Sequence, residues 1–401
     1  MITDDLGIDV DLSAQQFGRA IPWETLRVLR QKAPLHWHEA TQGWIVTTHE
    51  LLGQINRDPQ RFSSWAGPSP AEATSENLAN KSGLTILTMD PPRHGIYRRL
   101  VNSDFNPRAV SLQEDRIRAM AHELVDEFVA AGGGDFVTAI ASALPMRAIA
   151  SLMGIAREDE PMLIRLANAI VGGSDPEYYP GSPEAMAEAA RQYSDFADRL
   201  LDEHRANPRG DLVDRLLDAR VDGVPLSQLE LQAWVTMYIS GGAETTRHLI
   251  ANGLLALFEW PDAAAALRDG ADMRLAVEEM LRYTTPVMNH ARWPTEDVEI
   301  MGHTIGKGQR TTLWMLSANR DESVFEDADR FDITRDPNKH DSFGAGGPHF
   351  CIGAGYARLE TIAVFDALLP YLDRLEPAGP PERAQNSMFN SIKHLPVRVR
   401  P

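Results

Sequence analysis

Apolar residues in the C-terminal half of the chain fall at helical spacing over long stretches. Beyond Gly355, the residues Ile362, Phe365, Leu368, Leu369 and Leu372 mark one face of a helix whose end Pro370 loosens. A second helix runs through Leu275-Ala276-Val277-Glu278-Glu279-Met280-Leu281-Arg282 and stops before Pro286. Ser227-Gln228-Leu229-Glu230 is a capping box, in which the serine and glutamate side chains satisfy the first free N–H groups of a helix. No proline follows until Pro261, so about 33 residues form one helix of roughly 50 Å, long enough to cross the whole molecule.

Strand patterns are fewer. Leu35 to His38 and Trp44 to Thr47 flank a Gln42-Gly43 turn. Val298 to Ile300, His303 to Ile305 and Thr311 to Leu316 are separated by Gly302 and Gly306-Lys307-Gly308 and read as a meander, with Leu395 to Val399 as a last strand. Strands do not alternate with helices, and neither GxGxxG nor a P-loop is present, so a nucleotide-binding α/β fold is not expected. The pattern predicts a mainly α fold with a minor β region. It predicts one domain over residues 1–401, β-rich at roughly 30–60, helical elsewhere, with the small meander at 298–316.

Composition narrows the function. Of 401 residues 43% are hydrophobic, ample for a large core and incompatible with a disordered chain. The net charge of −18 argues against nucleic acid or an anionic membrane as main partner. The most apolar stretch, Val137 to Ala156, is interrupted by Pro145 and Arg147, where a membrane span needs roughly 20 nearly uninterrupted apolar residues. Met1-Ile2-Thr3-Asp4-Asp5 lacks the basic start of a secretory signal, so a cytoplasmic location is expected. A single cysteine excludes an intrachain disulfide, a four-cysteine zinc site and an iron–sulfur cluster held by this chain's own thiolates.

That cysteine lies in Phe343-Gly344-Ala345-Gly346-Gly347-Pro348-His349-Phe350-Cys351-Ile352-Gly353, just before a helix. Glycines there let the backbone approach a flat ligand and take positive φ. A helix N-terminus stabilises a thiolate. A thiolate so placed suits axial ligation of haem iron or nucleophilic attack, against the plainer reading of an inert buried cysteine.

Phe343, Gly347, His349, Cys351 and Gly353 resemble the haem-binding loop of the cytochrome P450 superfamily, the haem-thiolate monooxygenases. Glycine stands four before the cysteine, a basic residue two before and glycine two after; Phe343 stands eight before, where seven is usual, as in some bacterial sterol-oxidising members. The resemblance implies haem b bound through Cys351, with Phe343, Gly344 and Gly353 in the cofactor loop.

Three further motifs fit the same family. Glu279 and Arg282, at i and i+3 on one helix face, resemble its glutamate–arginine motif, with Arg330 implied as the completing member. Gly241-Gly242-Ala243-Glu244-Thr245-Thr246 places two glycines inside the long helix, each costing roughly 1 kcal/mol against alanine. Thr245 stands four residues after Gly241, where its hydroxyl can bond the i−4 carbonyl and bend the helix. The resemblance makes this turn the dioxygen site and Glu244/Thr245 the catalytic acid–alcohol pair. It also implies that His94, Arg98, Arg292 and His349 hold the haem propionates.

By position, Met237 and Ser240 with Val287, Met288, Met388 and Phe389 border a hydrophobic substrate pocket. The stretches Phe62 to Thr85 and Gly172 to Gly181, with Tyr178-Tyr179, read as lids. Ser317-Ala318-Asn319-Arg320-Asp321 and Ser391-Ile392-Lys393-His394-Leu395-Pro396-Val397 resemble the bacterial sterol and branched-lipid hydroxylases. The implied reaction inserts one oxygen atom of dioxygen into a C–H bond of a steroid-, terpenoid- or lipid-like molecule. Electrons would come from a separate ferredoxin and its NAD(P)H-dependent reductase, because no flavin domain or cluster is expected in this chain. Arg93, Arg99, Arg108 and Arg358 would form a basic dock. The competing readings are an aromatic or natural-product substrate, a peroxygenase, a haem sensor, and a cysteine hydrolase with His349 as base.

Overall fold

A computed structural model describes residues 11–69, 83–172, 174–179 and 181–401. Part of each expected lid, residues 70–82 and positions 173 and 180, lies outside the described residues.

The architecture is mainly helical with small sheets, as the apolar periodicity predicts. Strands β1 (Leu35–His38) and β2 (Gly43–Val46) pair antiparallel, joined by a short 3₁₀ turn and Gln42 in the left-handed region. With β3 (Phe62–Ser63), β4 (His290–Pro294) and β5 (Thr311–Leu313) they form a five-stranded sheet in the order β1-β2-β5-β4-β3. The meander expected at 298–316 is therefore only half right. Val298–Ile300 and His303–Ile305 pair with each other, but β5 leaves them to run parallel to β2, and residues 315–318 form a helical turn. Arg292 sits on β4, opposite Thr311.

Eight helices position the site: α1 (Arg93–Phe105), α2 (Glu114–Ala130), α3 (Ala143–Leu152), α4 (Glu160–Val171), α5 (Pro183–Ala206), α6 (Gln228–Glu259), α7 (Met273–Thr284) and α8 (Ala354–Leu368). The capping box is formed, with Ser227 and Glu230 each bonding the other's backbone N–H, and α6 runs unbroken for 32 residues, about 48 Å. Its two halves belong to different cores. Leu231, Trp234, Val235, Tyr238 and Ile239 pack with α1, α4 and α5, whereas Leu249, Ile250, Leu254 and Leu257 pack with α2, α7 and α8. Gly253 lets α6 approach closely, since a Cβ there would lie 3.0 Å from both Met280 and Phe365. No helix among the described residues is long and apolar enough to cross a membrane.

Candidate functional site

The cysteine loop is closed by the Cys351 N–H donating to the Phe343 carbonyl at 2.9 Å. Residues 344–347 all have positive φ. Gly347 combines φ of +84° with a Cβ position 2.3 Å from the Asn56 carbonyl, so only glycine fits there. Below the loop, Arg282 is fully buried with all five N–H donors used. Nε and one Nη reach the Glu279 carboxylate at 2.8 Å each, and the rest reach the carbonyls of Asn319, Ala328 and Arg330 at 2.7–2.8 Å. Asn319 donates to the Ser342 hydroxyl and accepts the Asp341 N–H, which carries the frame up to Phe343.

One member of that set is corrected. Arg330 is exposed and lends only its carbonyl, while Arg335 places Nε 3.3 Å from the Glu279 carboxylate. The reason is the turn after Ala328, which directs the Arg330 side chain to solvent.

Cys351 stands at the entry to α8, set deep among protein atoms yet solvent-accessible. Burial pushes its thiol up, while the N–H groups of Gly353 and Ala354 and the guanidinium groups of Arg98 and Arg358 oppose that shift. A cavity of about 650 Å³ adjoins it, lined among others by Arg98, Phe105, Phe350, Gly355 and Arg358. Phe105 stacks on Tyr238 of α6 and meets Tyr356 of α8 edge-on, joining the two helices. No hydrogen bond links Cys351 to a histidine among the described residues, and the His349 ring packs on His94 at 4.3 Å, so the Cys–His pair of a hydrolase is not formed.

Four basic groups converge beside this loop. Arg98 donates to the carbonyls of Pro348 and Phe350. His94 and Arg292 are buried, and the Nε2 atoms of both His94 and His349 lack a hydrogen-bond partner among the described residues. Burial pushes His94 down to about 4, His349 to about 2 and the Arg292 guanidinium to about 10; neighbouring cations push both histidines further down, while Asp90 opposes the shift at His94 and Arg292. None of the four is ion-paired with a carboxylate among the described residues. Asp90 is bonded instead to Ser63 and to the Ser64 N–H. Such a cluster favours an anionic ligand, and the two propionates of haem b fit it.

On α6 the residues Met237, Ser240 and Thr245 are half-buried and Gly241 exposed, a stripe on a helix otherwise largely buried. Thr245 donates to the Gly241 carbonyl at 3.0 Å, the predicted i−4 bond, without breaking the helix. A Cβ on Gly241 would meet nothing within 4 Å, and one on Gly242 would make only ordinary contact with Ile149 of α3 at 3.4 Å, so helix packing requires glycine at neither position. Glu244 turns away from the Thr245 hydroxyl to Arg247, 2.5 Å from its guanidinium, with both side chains about 4% exposed. Burial pushes the Glu244 carboxyl up against the pull of Arg247. Arg247 in turn donates to Asn168 of α4 and lies over the Tyr178 ring. The Glu244–Arg247 spacing is that of Glu279–Arg282, and this signal was readable; Asn168 and Tyr178 were not.

Val287 and Phe389 form a β-bridge, and Phe389 lies 5.8 Å from the His248 ring; Met388 is half-buried beside it. Met288 is corrected: it is 1% exposed in a core with Phe17, Leu26 and Trp314, because extended backbone sends successive side chains to opposite faces. The basic dock is thinned too. Arg93 is bonded to Tyr97 and Glu230, and Arg358 to Glu278, which leaves Arg99 and Arg108 exposed.

A family model described as Cytochrome P450 matches residues 12–395. A steroid C26-monooxygenase of Mycolicibacterium smegmatis is 35% identical over 410 residues, covering 99% of this chain and 95% of the relative. A linalool 8-monooxygenase of Pseudomonas putida is 33% identical, covering 98% of each. Among solved structures, a Mycobacterium marinum cytochrome P450 in complex with pseudoionone superposes with a TM-score of 0.91 at 33% identity, covering 98% of both chains. A Bacillus megaterium cytochrome in complex with testosterone gives a TM-score of 0.86 at 28% identity, covering 97% of this chain and all of the other.

Proposed function

Because this chain belongs to the cytochrome P450 family, monooxygenases that carry haem b and act on hydrophobic small molecules, we propose that it hydroxylates a steroid- or terpenoid-like substrate with Cys351 as the haem ligand. The observation that carries the ligand assignment is the accessible Cys351 sulfur at the entry to α8, faced by two N–H groups and two guanidinium groups.

When bound, haem b supplies the activation of dioxygen and the transfer of one oxygen atom to a C–H bond. The residues of the chain do the rest. Cys351 would supply the thiolate that holds the haem, Arg98 and Arg292 would neutralise the propionates, and the uncharged His94 and His349 would donate hydrogen bonds to them. Met237, Ser240, Val287, Met388 and Phe389 confine an apolar substrate. Gly241 leaves room beside the helix, Thr245 presents a hydroxyl, and Glu244, on turning from Arg247, supplies the acid that recharges it. Substrate class follows by analogy from relatives named for a steroid and for linalool. Electrons come from a ferredoxin and its NAD(P)H-dependent reductase in the cytoplasm, with Arg99 and Arg108 as docking cations. The whole chain acts as one catalytic unit.

Two measurements test this. The reduced holoprotein with carbon monoxide gives the thiolate-type absorption band, and Cys351→Ser abolishes it; a band that survives the substitution assigns the ligand elsewhere. Titration with steroids and terpenes gives the low-to-high-spin change with at least one of them, whereas a response confined to aromatic acids refutes the substrate class.

A further inference from the structure

Glu278 stands beside the buried glutamate of α7 yet serves a different structure. Its carboxylate takes Arg358 of α8 in a two-point grip, Nε at 2.5 Å and Nη2 at 2.9 Å, and a third bond reaches His340 Nε2 at 3.0 Å. The gripped guanidinium lies 4.5 Å over the Phe343 ring, at the start of the cysteine loop, and His340 packs beside the same ring. Arg358 also lines the cavity that Cys351 lines. One carboxylate thus joins α7, the segment before the loop, and the helix that follows the cysteine.

The exposure of the pair decides what it is for. The side chains of Glu278 and Arg358 are 25% and 34% exposed, and ion pairs so open to water contribute little to stability. Without Glu278, the only other acceptor on Arg358 among the described residues is the Ala354 carbonyl at 3.4 Å. A guanidinium held so weakly moves out to water, away from the sulfur.

We propose that Glu278 is a positioning residue for the cysteine site: it pins Arg358 on Phe343 and so keeps a cation beside the Cys351 sulfur. Burial works against the Glu278 anion, but Arg358 and His340 outweigh it and hold the carboxyl down at about 2, so the pin persists through ordinary acid. Arg98 is the second cation at the sulfur, fixed independently by two loop carbonyls, so losing Arg358 weakens the field without removing it.

The inference rests on Cys351 being the haem ligand, and its test separates the two. In the purified holoprotein, the reduction potential and the rate at which acid converts the thiolate-type carbon monoxide band to the thiol type are measured. Arg358→Gln lowers the potential and speeds the conversion, by about tenfold for each pKa unit the thiol rises. Glu278→Gln shifts both in the same direction, and the double variant goes no further than Arg358→Gln alone. Arg358→Lys, which keeps the charge, restores part of the loss and guards against a variant that fails to fold. A Glu278→Gln shift of opposite sign means a mere compensating charge and overturns the positioning role, as do additive or absent effects. Absence of the thiolate-type band from the unaltered protein fails the ligand assignment instead.

Discussion

Two helices of this protein each bury a glutamate and an arginine at i and i+3, and the two pairs are built to opposite ends. Glu279–Arg282 on α7 is closed: five donors find five acceptors, the carboxylate also accepts the N–H of Asp332 and the amide of Asn338, and only at the edge of the set do Arg335 Nε and Asn338 Oδ1 lack a hydrogen bond among the described residues. Glu244–Arg247 on α6 is open. The two groups are in contact, but the approach is misdirected for a hydrogen bond, so the Glu244 oxygen has none, nor has Arg247 Nε. Around them the hydroxyl of Tyr193 and Nδ1 of His248 are also buried without partners among the described residues. A saturated network has one arrangement and rigidifies what it touches; an unsaturated one has alternatives close in energy. The first holds the cysteine loop, and the second surrounds the acid that the proposed chemistry needs to move a proton.

The sharpest break of this contrast is Arg282→Lys. Lysine keeps the charge but offers three donors for five acceptors, and each buried acceptor left unpaired costs roughly 1–3 kcal/mol. The expected outcome is a chain that fails to retain haem and unfolds many degrees lower, measured by calorimetry and the ratio of haem to protein absorbance. A variant with unchanged stability would show that the closed network is not what holds the loop.

Glu244→Gln comes next and inverts the readout. Its stability cost is less than about half that of Arg282→Lys, because Arg247 keeps Asn168 and the Tyr178 ring while the lost contact was poorly directed. Burial raises the carboxyl, so between its ordinary and its raised pKa the folded state holds more protons than the unfolded one, and stability falls as pH rises through that window. The variant lacks this slope. Turnover, by contrast, falls by about 10²-fold or more, the scale of a lost acid–base group. Thr245→Ala has a smaller effect on rate and a larger one on outcome: reductant is still consumed, but peroxide leaves in place of product. Tight coupling in that variant would remove Thr245 from proton handling.

Which of these features the sequence exposed follows from how local each is. The capping box, the proline-free run to Pro261 and the Thr245–Gly241 bond are set within a few residues of chain, and the structure has them as expected. Pairings over long separations were not legible. Strand β5 lies beside β2 across more than 260 residues of chain, so local periodicity placed it in the wrong sheet. Arg330 and Arg335 are both near Glu279 in principle, and only the turn between them decides which one arrives. Met288 and Val287 are equally apolar, and extended backbone separates their faces. For Glu244 the pattern showed the acid but not its partners, since Asn168 and Tyr178 come from segments that carry no motif.

The smallest expected effect concerns what keeps the open pair in place, because the loop carrying Tyr178 is itself fastened. Asp175, 1% exposed, accepts the Gln385 N–H, and Lys393 reaches both Asp175 and Glu177. His394 bridges Asp135 at 2.8 Å and Glu177 at 2.9 Å, with Glu382 its partner across the strand pair. Its pKa is raised, first by the bond to Asp135 and then by Glu177, against burial. A raised imidazole pKa means that this tie is complete below the ordinary value of roughly 6.5 and is lost as pH rises through the higher folded value. Lys393 still holds the loop when His394 is neutral, so the gain is small. The rate of the substrate-induced spin change should rise with pH across that window by no more than about fivefold, the limit of a partly exposed ion pair. His394→Gln should flatten the profile at its fast end. A wild-type profile already flat would show that the loop is held by Asp175 and Lys393 alone, and that the open pair owes nothing to His394.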